Sequence, residues 1–288
     1  MKRRKKGSYR KNIFVCTGVV ILCTVVVFLA YRFYQQRTVA LPPKGKAPPG
    51  KVAEPALRPF GPEAETLRGK NVAIIIDDIG RDMAVIDELL AMNVPITFAV
   101  LPHLRCSSEA ATRVHYAGRD VLLHLPMEPH GYPEKDPGTG ALFTTMCEQE
   151  IREHLESDLD SVPYACGVNN HMGSRFMEDE ERLKQLMQFL KGKNLFFLDS
   201  MTTGRSVGNR VARMIDIRHA ARDIFIDNEQ DYEKTLNILS AVAESTDRWD
   251  TLILIGHPYP STVAALRKAL PLLKEKGIEV VPLSRLVG

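Results

Sequence analysis

From residue 70 onward, short apolar runs alternate with longer amphipathic segments. The runs are rich in β-branched residues and predict buried strands at 72–76, 96–100, 121–123, 167–169, 195–198, 224–226, 252–255 and 279–281. The segments between them predict helices at 83–92, 107–117, 148–159, 180–191, 204–214, 232–244 and 261–276. This alternation predicts an α/β domain whose mainly parallel sheet is covered by helices, either closed into a barrel or left open.

The pattern ahead of this β/α region is different. Residues 1–12 carry seven basic and no acidic residues, and an uncharged apolar run fills most of residues 13–32. We therefore expect a cytoplasmic tail at 1–12, one transmembrane signal anchor at 13–32 in the inner (cytoplasmic) membrane, and a carboxyl-terminal domain at 70–288 on its periplasmic or extracytoplasmic side. A cleaved signal peptide is the alternative, but residues 30–33 make a poor cleavage site. Residues 33–69, rich in Pro and Lys, predict an extended linker.

Charge and cysteine content limit the binding partners and the disulfide bonds that we expect for residues 71–288. Of 38 basic and 35 acidic residues in the chain, 23 basic and 32 acidic lie in 71–288, a net charge of about −9. Nucleic acid is therefore not an expected partner, because phosphate binding needs a basic surface. Three cysteines in this part (Cys106, Cys147 and Cys166) allow at most one internal disulfide, and the sequence leaves their pairing open.

Polar residues follow several of the predicted strands. They are Asp77, Asp78, His124, His171, Asp199, Asp227 and His257. Because the carboxyl ends of parallel strands share one rim, we expect these side chains to meet there, in a set that suits a divalent metal. Asp77 and Asp78 are adjacent, so strand alternation predicts that their side chains point in different directions.

Six motifs at these positions resemble the polysaccharide deacetylases, and specifically their divergent branch from bacterial envelopes. They are 74–80 (Ile-Ile-Ile-Asp-Asp-Ile-Gly), 95–102 (Pro-Ile-Thr-Phe-Ala-Val-Leu-Pro), 124–128 (His-Leu-Pro-Met-Glu), 169–174 (Asn-Asn-His-Met-Gly-Ser), 198–200 (Leu-Asp-Ser) and 255–258 (Ile-Gly-His-Pro). The resemblance covers about residues 70–288. It implies an irregular (β/α) barrel, usually of seven strands.

The resemblance also implies roles for single residues. Asp77 matches the general base, Asp78 and His124 match metal ligands, and His257 matches the general acid. Asp199 resembles the acidic residue that orients a catalytic group.

One position departs from the family pattern. Typical members carry a second metal-binding histidine four residues after the first, where this chain has Glu128. Either Glu128 completes the metal site or another rim residue does. His171 is the preferred substitute, because its motif stands where typical members carry an Arg- and Pro-containing motif. An Asp/His/His set favours zinc, and the ligand types also admit cobalt, nickel or manganese.

These implications favour a metal-dependent hydrolase that removes acetyl groups from an envelope polysaccharide. Two alternatives stay open at this point. The domain could be a binding or scaffold module with reduced catalysis, a reading raised by the changed second motif, or a hydrolase of ester or phosphoester bonds. Among the aromatic residues, Tyr259 and Phe176 are the best placed for contact with a sugar at the rim.

Overall fold

The computed structural model describes residues 69–288. Its strands are β1 (Lys70–Ile79), β2 (Thr97–Val100), β3 (Val121–Met127), β4 (Gly167–Met172), β5 (Phe196–Asp199), β6 (His219–Ala221), β7 (Ile224–Phe225), β8 (Thr251–Gly256) and β9 (Ile278–Val280). Its α-helices are α1 (Met83–Leu90), α2 (Ser107–Tyr116), α3 (Glu148–Ser161), α4 (Glu180–Gly192), α5 (Gly208–Ile215), α6 (Tyr232–Glu244) and α7 (Pro260–Glu275). Short 3-10 helices lie at Phe176–Glu178 and Leu283–Arg285.

Local sequence explains where several helices begin. The side chains of Asp82, Asp179 and Asp231 each accept a hydrogen bond from the first turn of α1, α4 and α6, which satisfies a backbone donor that has no partner within the helix. Helix α7 begins with Pro260, whose fixed φ and missing N–H suit a first helical position. Helices α1 and α7 begin four residues after the ends of β1 and β8, so their first turns lie close to the rim.

The strands form one parallel sheet in the order β6-β5-β4-β3-β2-β1-β8-β7, with β9 pairing the start of β1. Two residues join β6 to β7. The backbone N–H of Arg222 donates to Asp199 of β5, and the N–H of Asp223 donates to Ile253 of β8. The chain therefore passes from β6, at one end of the strand order, to β7 at the other end, and the sheet curls into a barrel.

Side-chain alternation divides the core into two parts. In β1, Ile74 and Ile76 pack against the helices, whereas Ala73 and Ile75 face the barrel interior with Leu122 and other buried residues. Such burial on both faces is expected of a parallel sheet and explains why these strands read as continuous apolar runs. At the carboxyl ends of the strands, the inward-facing positions change from apolar to polar residues, and these polar residues line the opening of the barrel.

The predicted α/β architecture with parallel strands is confirmed, while the number of strands differs from the seven expected. The sheet has nine strands: the eight predicted from the apolar runs, the last of which is β9, and β6, which was not predicted. The sequence of β6, His-Ala-Ala, has weak strand propensity and gave no signal. Strands β3 and β4 also run further than predicted, so that His124 and His171 lie within strands.

The predicted tail, signal anchor and nearly all of the linker lie outside the described residues. Within 69–288, no helix is both long and apolar enough to cross a membrane. The three cysteines of this part of the chain are free thiols.

Candidate active site

A β-bulge brings Asp77 and Asp78 to the same place. The pairing of β1 with β2 shifts register between Ile76 and Ile79, and Asp78 has a φ of 56°. A bulge re-aims side chains that regular alternation would send to opposite faces. Both carboxylates consequently approach one nitrogen: Nε2 of His124 lies 3.6 Å from Asp77 Oδ2 and 3.3 Å from Asp78 Oδ1. The prediction that the two acids point in different directions is therefore wrong.

Four non-glycine residues at this end of the sheet have a left-handed backbone. Asp78, His103, Met172 and Met201 all have positive φ values between 52° and 58°, and they lie at or just after the carboxyl ends of β1, β2, β4 and β5. Non-glycine residues rarely adopt this conformation, and strained residues persist where the surrounding structure holds them. At Asp78 this backbone conformation accompanies the bulge that turns the carboxylate toward His124.

Asp78, His124 and His171 bring three ligand atoms together. His171 Nδ1 lies 3.0 Å from Asp78 Oδ1 and 3.1 Å from His124 Nε2, and the third side of the triangle is the 3.3 Å distance given above. Among the described residues, these three form the group that could hold a metal ion. His124 is buried, while His171 and Asp78 are partly open to solvent.

The triangle fits a small divalent metal. Atoms bound to a tetrahedral zinc at about 2.0–2.1 Å lie about 3.3–3.4 Å apart, close to the separations here. In addition, Asp78 Oδ1 is buried and makes no hydrogen bond of normal geometry, although both imidazoles face it. An oxygen of this kind, facing two nitrogens that can offer lone pairs, has the chemistry of a metal ligand.

Asn169 lies next to this triangle and links it to Asp77. Its Nδ2 donates to Asp77 Oδ1 at 2.8 Å and to Ser200 Oγ at 3.2 Å, and its Oδ1 lies 3.0 Å from His124 Nδ1. Strands β3 and β4 place His124 directly opposite Asn169 in register. The six motifs gave Asn169 no predicted role. Asn169 lies two residues before His171 in the same strand, so strand alternation places both side chains on one face and could have indicated a role for Asn169.

Burial and mutual attraction perturb the ionisable groups of the site. Burial raises the pKa of Asp77 above its usual value, although His124 and His257 partly offset the effect. Burial also acts to raise the pKa of Asp78, but the attraction of the two imidazoles that face it, His124 and His171, outweighs burial and holds that pKa far below the usual range. Burial lowers the pKa of His124, yet the two carboxylates overcome this and raise it. Asp77 is thus the more basic of the two acids.

Asp227 orients His257, which is close enough to Asp77 to lower the pKa of that carboxyl. Asp227 Oδ1 lies 2.9 Å from His257 Nδ1, and Asp227 Oδ2 accepts hydrogen bonds of 2.6 Å from the His257 backbone N–H and the Thr262 hydroxyl. Burial lowers the pKa of His257, but the hydrogen bond and charge of Asp227 raise it overall. The imidazole stacks between Phe225 and Tyr259, with ring centroids 6.0 and 5.3 Å away.

Asp199 does not contact His257. Its carboxylate accepts hydrogen bonds from the Met201 N–H at 2.8 Å and the Ser206 hydroxyl at 2.5 Å, so it fastens the loop after β5. Alternation explains this, because Leu198 faces the barrel interior and the next residue therefore points toward the helices. The acid that orients His257 is Asp227, which the sequence placed on the rim without a role. Phe176 is also excluded from the rim surface, since it is fully buried.

Glu128 is held by other partners. Its Oε2 accepts hydrogen bonds of 2.7 Å from both the backbone N–H and the hydroxyl of Thr144, and its Oε1 lies 3.2 Å from Arg175. The residue is 4% exposed and secures the long segment between β3 and α3. Of the two candidates for the third metal ligand, the one whose ligand atom meets those of Asp78 and His124 is His171.

Comparison with known proteins is consistent with this geometry. The profile of a protein family described as divergent polysaccharide deacetylase matches residues 74–287. YibQ from Escherichia coli K12 is 36% identical over 202 residues, which cover 70% of this chain and 62% of that protein. A protein from Haemophilus influenzae Rd is 32% identical over 71% of this chain and 72% of its own length.

A solved structure shares the fold. A protein from Agrobacterium tumefaciens C58 superposes with a TM-score of 0.72 at 24% identity, covering 77% of this chain and 91% of that one. The match of the family profile to residues 74–287 confirms the family resemblance inferred from the six motifs. The chain spans about three fifths of the length of the E. coli relative.

Proposed function

We propose that this chain, which belongs to the divergent polysaccharide deacetylase family, is a metal-dependent hydrolase that removes acetyl groups from a polysaccharide of the cell envelope. The observation that carries the proposal is the triangle of Asp78, His124 and His171, with ligand atoms 3.0–3.3 Å apart beside a buried carboxylate. A metal-binding triad, a base and an acid are what hydrolysis of an amide requires.

Asp78, His124 and His171 would hold the metal. A bound divalent ion supplies a Lewis acid that polarises the acetyl carbonyl and lowers the pKa of a water molecule. Zinc suits one carboxylate and two imidazoles, and cobalt, nickel and manganese are compatible with the same donors. Three protein ligands are the number found in catalytic zinc sites, which leave a position for water or substrate.

Asp77 is the proposed general base. Its carboxylate lies beside the triad, 3.6 Å from His124 Nε2, and is fixed by the hydrogen bond from Asn169. Burial raises its pKa, and a more basic carboxylate accepts a proton from water more readily. Asp77 therefore takes the proton of the water whose oxygen attacks the acetyl carbon.

His257 is the proposed general acid. Asp227 raises its pKa and keeps a proton on Nδ1, so Nε2 is the atom that faces away from Asp227 and can donate. As the C–N bond breaks, His257 protonates the leaving amine. The products are acetate and a free amino group on the sugar, and the proton accepted by Asp77 replaces the one given by His257.

The family supports the proposed substrate class, and the amino-terminal sequence is the basis for the proposed location. A periplasmic domain tethered to the inner membrane by residues 13–32 meets envelope polysaccharide as its polymeric substrate. Tyr259, 5.3 Å from the His257 ring, offers a partly exposed aromatic surface on which a sugar ring could pack.

Acetate release from N-acetylated glycans tests the proposal. The full-length chain is stripped of metal, reloaded with zinc, and compared with Asp77→Asn, which keeps the shape of the side chain but removes the base. We expect zinc-dependent acetate release that falls by about 100- to 10,000-fold in the variant. Release that is unaffected by Asp77→Asn contradicts the mechanism. Metal binding without release supports the scaffold alternative, and release from esters alone supports the ester hydrolase.

A further inference from the structure

The orientation of the Asn169 amide is determined by its neighbours. An ionised carboxylate is only an acceptor, so the atom 2.8 Å from Asp77 Oδ1 must be the NH₂ group of Asn169. The same NH₂ group reaches Ser200 Oγ at 3.2 Å. The amide oxygen therefore faces His124, and the reversed orientation would set two acceptors, this oxygen and the carboxylate, against each other.

This orientation determines which nitrogen of His124 carries hydrogen. The amide oxygen lies 3.0 Å from His124 Nδ1 and can only accept, so Nδ1 must be the donor. In a neutral imidazole the other nitrogen then has the free lone pair. That nitrogen is Nε2, which lies 3.1 Å from His171 Nδ1 and 3.3 Å from Asp78 Oδ1.

We propose that Asn169 is a positioning residue that acts on both halves of the site at once: it fixes His124 in the tautomer that can bind a metal, and it holds Asp77 beside that metal. The inference rests on the proposed function. One amide group thus links the metal ligand His124 to the base Asp77. The two effects can be tested separately, because the amide oxygen acts on His124 and the NH₂ group acts on Asp77.

The next residue supplies a matched control. Asn170 is also a buried asparagine in β4, but its side chain turns to the other face of the strand. It accepts from the Ser200 backbone N–H at 2.8 Å and donates to Met172 O at 2.9 Å and Thr202 Oγ at 3.2 Å. Asn170→Leu therefore removes as many hydrogen bonds as Asn169→Leu, and none of them involves a metal ligand or the base.

The first measurement needs neither metal nor substrate. The full-length chain is labelled with ¹⁵N-histidine, and the tautomer of His124 is recorded in the metal-free protein at a pH where its chemical shifts show a neutral ring. We expect the Nδ1–H form in the wild type and in Asn170→Leu. In Asn169→Leu, which offers no acceptor to Nδ1, we expect the Nε2–H form to become populated.

The second measurement is zinc affinity by competition with a chromophoric chelator, followed by acetate release. Removing a group that orients a metal ligand weakens metal binding by about 10- to 100-fold, so we expect this loss in Asn169→Leu. In Asn169→Asp the introduced carboxylate still accepts from His124 Nδ1, so zinc affinity stays within about threefold of the wild type. The same carboxylate cannot donate to Asp77 as the amide did, and acetate release falls even with zinc bound.

Three results would overturn the proposal. Asn169→Leu could keep the wild-type tautomer and zinc affinity. Asn169→Asp could lose as much zinc affinity as Asn169→Leu. Asn170→Leu could reproduce the effects of Asn169→Leu, which would show a general loosening of β4. The tautomer measurement also separates this inference from the proposed function, because it gives its answer even if no glycan is deacetylated.

Discussion

Replacing Asp227 by Asn tests how the proposed acid is held. The carboxylate of Asp227 is fully buried and receives three hydrogen bonds, two from His257 and one from Thr262. Asn has nearly the same shape but a single acceptor oxygen. If the amide oxygen takes the place of Oδ2, it still accepts from the His257 backbone N–H and the Thr262 hydroxyl. The NH₂ group then faces His257 Nδ1, and two donors oppose each other when that nitrogen carries a proton.

The size of the effect follows from the lost interaction. A hydrogen bond to a charged group contributes about 1.5–3 kcal/mol, which corresponds to about 10- to 150-fold in kcat if it is lost in the transition state. The sign of the pH effect is also determined. Burial lowers the pKa of His257 and Asp227 raises it, so removal of this carboxylate leaves burial opposed only by the charges of Asp77 and Asp78. The pKa of His257 then falls, and less of the acid is protonated at neutral pH.

Two assays measure these effects. Acetate release as a function of pH gives kcat, and we expect the alkaline limb of the profile to move to lower pH in Asp227→Asn. Histidine NMR titration of the full-length chain reports the pKa of His257 without any substrate. A kcat within about twofold of the wild type together with an unchanged His257 titration would refute the reasoning.

Three further predictions concern residues around the barrel. Burial raises the pKa of Asp158 to about 8, so the folded chain keeps a proton on Asp158 that the unfolded chain loses near pH 4. The free energy of unfolding therefore falls as pH rises from 4 to 8, by at most about 1.4 kcal/mol per pH unit. We expect Asp158→Asn to remove this pH dependence in urea unfolding. Asp199→Asn loosens the loop after β5 and lowers the free energy of unfolding by about 1–3 kcal/mol, but leaves the His257 titration unchanged. Gly167→Ala places a methyl group 2.4 Å from the Phe196 ring and lowers the melting temperature through overpacking of about 1–3 kcal/mol.

Much of the site was predictable because strand alternation is simple. Ile75 faces the barrel interior, so Asp77 does too, and the same count of two leads from Leu122 to His124 and from Ile255 to His257. Parallel strands then bring these inner positions to one rim. The order of apolar runs in the sequence was therefore enough to group the base, one ligand and the acid.

The remaining features depend on contacts between distant segments. The bulge that turns Asp78 toward His124 arises from the register between β1 and β2, and no local pattern marks an aspartate with positive φ. Asp199 and Asp227 both follow strands, yet only the adjacency of β7 and β8 decides which of them meets His257. Such choices are made by tertiary pairing, which a single sequence does not display.

Metal content of the purified full-length chain tests the central claim most directly. We compare the wild type with His171→Ala and Glu128→Gln, measuring bound divalent metal per chain by elemental analysis. We expect about one metal ion per chain in the wild type and in Glu128→Gln, and the loss of that ion in His171→Ala. Retention of metal in His171→Ala with its loss in Glu128→Gln, or no bound metal in a reloaded wild type, would contradict the account.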